Sequence, residues 1–267
     1  MNMIKKLIIS FLFGKPQVFK TFQNFNTASK NNNNYAEKDL IEVVVTKAKE
    51  FQNTDSNEYV IDSMALKTFF ILNILQKSNN INILDFGGGA GTHYMVLKKY
   101  FKNSINFNWH VVETKELAKE AIDQGLENKE LKFFSDINQA IENLEEIDLI
   151  YANGSLCYTD DPTKYITHLL ETKAKYIYIT RTPFNEESNE NIVGLQVSKL
   201  SSNGKGSLPT GFKDREVYYP FTVLGMQDVE NLFKKYGKIE LKIMEEKNAY
   251  PTDKGSFNNF GYVINLN

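Results

Sequence analysis

Residues 83–94 read ILDFGGGAGTHY: a short apolar run, an acidic residue, then Gly87, Gly88, Gly89 and Gly91. Glycine lets a chain turn sharply and lets a ligand approach backbone where a Cβ would otherwise stand. A helix that opens after such a turn aims its free N–H groups and positive dipole end at the ligand. A dinucleotide fingerprint needs G-x-G-x-x-G/A, but after Gly87 and Gly89 the third position is Thr92. No lysine of a phosphate loop follows either. Asp85, closing the apolar run, would repel a pyrophosphate and suits a ligand that carries an ammonium group.

Further residues fall where the same ligand would extend. Glu113 ends the run WHVVE and can accept two ribose hydroxyls. Ser135 and Asp136 follow LKFF, where Asp136 can accept from an exocyclic amine, cap the next helix, or do both. Asn153 and Gly154 follow IDLIYA, at the strand ends where open α/β sheets bind ligands. His93, two residues beyond Gly91, is the first candidate general base, since imidazole titrates near neutrality; a packing role on its helix is an almost equal reading. Arg181, after AKYIYIT, can grip a phosphate or carboxylate or hold a nearby loop. Tyr218 and Tyr219 can stack on a sugar, shape a cleft or join the core. His110 reads as a core or sheet-face residue, and His168 as part of a surface helix.

These residues need strand ends to carry them, and the hydrophobic pattern supplies strands. Apolar runs at 81–86, 107–113, 131–134, 147–152 and 174–180 alternate with helical spacing at 91–101, 115–124, 137–144 and 162–172. Gly125 marks one helix end and Asp161-Pro162 one helix start. Near-continuous apolar strands belong to a parallel sheet covered on both faces, and right-handed crossovers make it doubly wound. A helix at 226–236 and strands at 238–246 and 257–266 close the sheet with an antiparallel pair. The expectation is a doubly wound, mostly parallel, seven-stranded α/β sheet. Residues 1–80 form a helical cap, with helices at 36–52 and 58–76 and an Asn-rich loop at 23–35. Residues 81–267 form the ligand-binding domain, in which 184–221, rich in Gly, Ser, Asn and Pro, reads as an inserted lid loop.

Composition narrows the function. The 267 residues carry 31 Lys and Arg against 33 Asp and Glu, so no basic field draws in nucleic acid. One cysteine, Cys157, excludes an internal disulfide and a Cys-based zinc site. The three histidines are scattered without a metal-ligand pattern, and a reducing, cytoplasmic setting fits best. Residues 1–14 carry Lys5 and Lys6 before an apolar run from Leu7 to Phe13, too short to span a bilayer. It reads as an amphipathic helix against the body or as a weak membrane-surface contact, and it leaves room for pairing of chains.

The segments ILDFGGGAGTHY, WHVVE, LIYANGSLCY and ITRTPF, in that order, resemble class I methyltransferases associated with bacterial O-antigen and surface-polysaccharide clusters. The likeness covers roughly residues 81–267. It implies S-adenosylmethionine as cofactor, bound by Asp85, Gly87, Gly88, Gly89, Gly91 and Glu113. It also draws attention to His93, Tyr94, Arg181, Thr182 and Tyr219-Pro220. At Asn153 the chain departs from the pattern, which often has a small residue there. The implied reaction is O-methylation of a sugar, nucleotide sugar or related small acceptor. Methylation of another small molecule, at nitrogen or a phosphate-type group, and a non-catalytic binding protein fit the same residues.

Overall fold

A computed structural model describes residues 18–30, 35, 37–54, 62–75, 79–101 and 104–266. The N-terminal apolar run and the start of the helix expected at 58–76 lie outside the described residues. The apolar runs form β2 (Asn80–Phe86), β3 (Asn106–Val112), β4 (Leu131–Phe134), β5 (Leu149–Asn153) and β6 (Tyr176–Asn185), preceded by a short β1 (Lys20–Phe22). They alternate with α4 (Thr92–Phe101), α5 (Lys115–Asp123), α6 (Ile137–Glu142) and α7 (Pro162–Leu170). Local chemistry sets the helix ends. Thr114, Asp136 and Asp161 accept backbone N–H groups at the starts of α5, α6 and α7, with Pro162 in the first turn. Gly125, at φ 67°, lies just past α5.

The strands lie in the order β4–β3–β2–β5–β6, all parallel. Next comes β10 (Gly255–Asn265), antiparallel to β6, and then β9 (Lys238–Thr252). This is the expected seven-stranded sheet, with its last two strands longer than their apolar patterns indicated. Helices cover both faces. α2 (Lys38–Gln52), α3 (Ser63–Leu75), α4 and α5 pack over Ile81, Ile83, Trp109 and Tyr151. α6, α7 and α8 (Met226–Tyr236) pack over Leu84, Ile150, Ile177 and Tyr262. No helix among the described residues is long and apolar enough to cross a membrane.

Two expectations need correction. Residues 184–221 are not a lid loop: β7 (Ile192–Lys199) and β8 (Glu216–Gly225) pair antiparallel along eight residues each. Strand β1 pairs with β7, and β8 meets the end of β6 through Leu224 and Gly225, so among the described residues the sheet runs to ten strands. The physical reason is the alternation of Val217, Tyr219, Phe221 and Val223, all buried, a period-two signal. The Gly- and Ser-rich stretch is confined to the link between β7 and β8. Residues 23–35, read as loop, contain α1 (Phe25–Ser29), capped by Asn24.

Candidate functional site

Between β2 and α4 the backbone of Gly87, Gly89 and Gly91 takes positive φ values of 68°, 60° and 75°. Two of the glycines are required for distinct reasons. A Cβ on Gly88 would stand 2.3 Å from Asp85 Oδ2. Gly89 combines positive φ with open space where its Cβ would be, and its N–H donates to Glu113 Oε1 at 3.0 Å. Glu113 Oε2 accepts from Thr114 N–H at 2.8 Å. Burial pushes the Glu113 carboxyl above the usual range, its two backbone hydrogen bonds oppose the shift, and the nearby Asp85 charge adds to it.

The turn forms one end of a cavity of about 910 Å³. Gly87, Gly88, Gly89, Glu113, Ser135, Asp136 and Gly154 line it, so the structure brings most of the expected cofactor residues together. Ile137 and Tyr165 give that end an apolar flank. Asp136 fills both roles read from the sequence, lining the cavity and capping α6 through Gln139 N–H at 2.9 Å. Gly91 lies behind the surface, packed toward Leu131 and Phe133. Asp85 is fully buried beneath Gly88, outside the lining, and accepts from Trp109 Nε1 at 2.9 Å.

His93, at the start of α4, lines the middle of the cavity. Its Nδ1 faces Asp85 Oδ2 at 3.8 Å, and its Nε2 lies 3.2 Å from Asn153 Nδ2. Asn153 is buried outside the lining, against His93, Tyr151 and Met64. The Tyr151 hydroxyl continues the network to Thr68 Oγ1 at 3.0 Å.

At the far end, Arg181 lines the cavity together with Asp62, Tyr158, Gln196, Ser198 and Lys205. Tyr219 is there too, but as a wall. It stacks on Tyr35 at 4.3 Å, its hydroxyl donates to Asn203 at 3.0 Å, and burial pushes its pKa well up, which leaves it poorly suited to proton transfer. Tyr218 lies outside the lining and donates to Glu216. Of the positions drawn from the family likeness, Tyr94 is buried with its hydroxyl on Glu130, and Thr182 is buried in β6. His110 is a sheet residue bonded to the Ala140 carbonyl, its pKa lowered mainly by burial.

Sequence reading missed Asp62, Met64 and Thr68 of the α3 region, and Tyr35, Gln196, Ser198 and Lys205. Only Asp62 left a local sign: it precedes Ser63 as a capping residue and accepts from Ala65 N–H at 2.8 Å.

No protein-family model matches this chain, and no curated protein matches it. Among solved structures, it is similar to an S-adenosylmethionine-dependent methyltransferase from Clostridium acetobutylicum, with 16% identity over 77% of this chain and 92% of that one, and a TM-score of 0.44. It is also similar to the N-terminal domain of EvdMO1 with SAH bound, with 12% identity over 84% and 96% and a TM-score of 0.48. A third is the sugar N-methyltransferase KedS8 from Streptoalloteichus, with 12% identity over 75% and 85% and a TM-score of 0.44.

Proposed function

We propose that this chain is an S-adenosylmethionine-dependent methyltransferase, working in the cytoplasm on a small carbohydrate-linked acceptor. The acceptor is a sugar, nucleotide sugar or related surface-polysaccharide precursor, methylated on oxygen. One observation carries the reading: the glycine turn and its Glu113 partner open into a cavity that continues past His93 to Arg181. At about 910 Å³ it lies near the upper limit for small-ligand sites, with room for a cofactor and a second small molecule.

The residues at the turn fit the cofactor. Gly89 leaves space for close approach, Glu113 offers carboxylate lone pairs to a ribose, and Ser135 and Asp136 lie beside the apolar flank that suits an adenine. Gly154 and Asn153 are assigned to the methionine end, Asn153 through its hold on His93 rather than by direct contact. Asp85 supports the turn from below, bringing negative charge near an ammonium group. Bound there, S-adenosylmethionine supplies an electrophilic methyl group.

The chain's part is orientation and one proton. His93 accepts the acceptor hydroxyl proton at Nε2 once the Asn153 amide swings off that nitrogen, whose one lone pair it otherwise faces. Arg181 holds an anionic group of the acceptor, and Tyr219 closes the wall. Asp62, Glu113 and Asp136 balance Lys115, Arg181 and Lys205 around the lining, which favours a small, modestly charged acceptor over nucleic acid. Incubation with methyl-labelled cofactor and a panel of sugars and nucleotide sugars tests the reading. Label on a sugar oxygen is the expected result; label only on protein, lipid or RNA overturns it.

A further inference from the structure

Arg181 has φ 53°, a backbone conformation that non-glycine residues keep only where their surroundings impose it. The imposing feature is a pair of neighbouring bulges. Tyr262 pairs with Ile179 and Phe260 with Thr182, so Thr180 and Arg181 together oppose Gly261 alone. One strand further out, Phe260 pairs with Met244 and Asn259 with Glu246, which makes Glu245 the extra residue of β9. Gly261 has no side chain to block the gap; a Cβ there would sit 3.0 Å from Glu245 Oε1.

Through that gap the Glu245 carboxylate, 2% exposed, reaches across β10. Arg181 N–H donates to Oε2 and the Thr180 hydroxyl to Oε1, each at 2.5 Å. Lys67 Nζ, from α3, donates to Oε1 at 2.7 Å. The Arg181 side chain then lies over Gly154, where a Cβ would meet Cζ at 3.5 Å, and its Nη1 lies 3.6 Å from Met64 Sδ. Arg215, the other arginine of the chain, is paired with Glu37 and Asp39. Among the described residues the Arg181 guanidinium has no acidic partner, although it lines the cavity.

We propose that Glu245 is the positioning residue for Arg181. It fixes the left-handed turn that aims the guanidinium into the acceptor end of the cavity, and Lys67 ties that aim to helix α3. The inference rests on Arg181 being the anion-binding group of the acceptor site. The ionised carboxylate matters because only donors face it. A glutamine of the same size must turn its NH₂ toward either Arg181 N–H or the Thr180 and Lys67 donors.

Two arginines make the test direct. Protein labelled with ¹⁵N-arginine gives two backbone amide and two Nε–H signals, assigned with Arg215→Lys. Glucuronate and inorganic phosphate serve as separate probes for a carboxylate and a phosphate group. In the wild type, at least one probe is expected to shift the Arg181 Nε–H signal. Glu245→Gln and Glu245→Ala should displace the Arg181 signals, leave those of Arg215 in place, and raise the probe midpoint about tenfold, the scale of one charge-assisted hydrogen bond. Calorimetry should find S-adenosylhomocysteine affinity unchanged. Gly261→Ala, which crowds Glu245 without removing it, should give a smaller displacement in the same direction and carries the test if a Glu245 variant fails to fold. Unmoved Arg181 signals, or an unchanged probe midpoint in the Glu245 variants, overturn the positioning role alone. A wild-type Arg181 that responds to neither probe overturns the anion reading and the proposal with it, while leaving the cofactor assignment to the calorimetry.

Discussion

The two ends of the cavity are built by different means. At the turn end, backbone does most of the work: three positive-φ glycines, a helix start and Glu113 all fall within residues 85–113. At the far end, side chains converge from distant parts of the chain: Asp62 before α3, Arg181 on β6, Gln196 on β7 and Tyr219 on β8. Backbone geometry fixes the first end locally. The second depends on strand pairing and on contacts such as Glu245 across β10. Damage at one end is therefore expected to leave the other largely intact, and His93, between them, is where the two meet.

The largest effect is expected at that junction. Replacing His93 by Gln removes the proposed base while leaving the turn unaltered, so kcat should fall about 10²- to 10⁴-fold. S-adenosylhomocysteine binding, measured by calorimetry, should stay the same. A comparable loss of cofactor affinity would mean that His93 belongs to the turn end and is no general base.

Next comes Glu113→Ala. It removes the carboxylate and leaves the Gly89 and Thr114 N–H groups without their acceptor. Leaving such groups unpaired and deleting a charge-assisted partner costs on the order of 3 kcal/mol, about a hundredfold in affinity. Cofactor affinity should drop by that scale while the Arg181 response to an anion probe persists. Loss of both would break the separation of the two ends.

Acidity tests the same carboxylate without a mutation. Its pKa is raised in the fold, chiefly by burial. The sign for stability follows: the folded chain holds this proton more tightly than the unfolded chain, so the group favours folding at low pH, and that contribution is lost as pH rises through the folded pKa. In the proposed site, accepting both ribose hydroxyls needs the ionised form. Cofactor affinity should therefore fall on acidification, starting above pH ~4.3 where a solvated glutamate titrates, and by about tenfold per unit below the folded pKa. Thermal melts of the ligand-free protein over the same range should show no matching collapse. Flat affinity down to pH ~4 would remove Glu113 from the ribose site.

The sequence was legible where chemistry is local. Asp85 to Gly91 and Glu113 lie on successive strand ends, and a strand–turn–helix pattern is set by near neighbours. It was less legible at the far end of the cavity, because nothing next to Gln196, Ser198 or Lys205 marks them as cavity residues. The misreading of 184–221 has the same origin. Gly and Ser in the link outweighed the alternation of Val217, Tyr219, Phe221 and Val223, whose partners on β7 and the adjoining core are visible only once the strands pair. Glu245 left no sign at all, since two bulges in different strands must coincide before its carboxylate reaches Arg181.

The smallest predicted effect concerns how the far wall of the cavity is hung. Lys47 on α2 is almost fully buried, and its Nζ donates to the Ser201 and Asn203 carbonyls at 2.7 and 2.8 Å. Asn203 in turn accepts from the Tyr219 hydroxyl, and Tyr219 stacks on Tyr35. Lys47→Met keeps an unbranched apolar chain out to Cε and removes the two charge-assisted bonds of Nζ. That should cost about 2 kcal/mol of stability, near 5 °C in melting temperature for a chain of this size. The wall would then be held less firmly, and KM for the acceptor should rise only about threefold, under 1 kcal/mol. Cofactor affinity should not change, because no bond in this chain of contacts touches the glycine turn. A drop in S-adenosylhomocysteine affinity equal to the rise in acceptor KM would show that the two ends respond as one unit, and the independence inferred from their construction would be wrong.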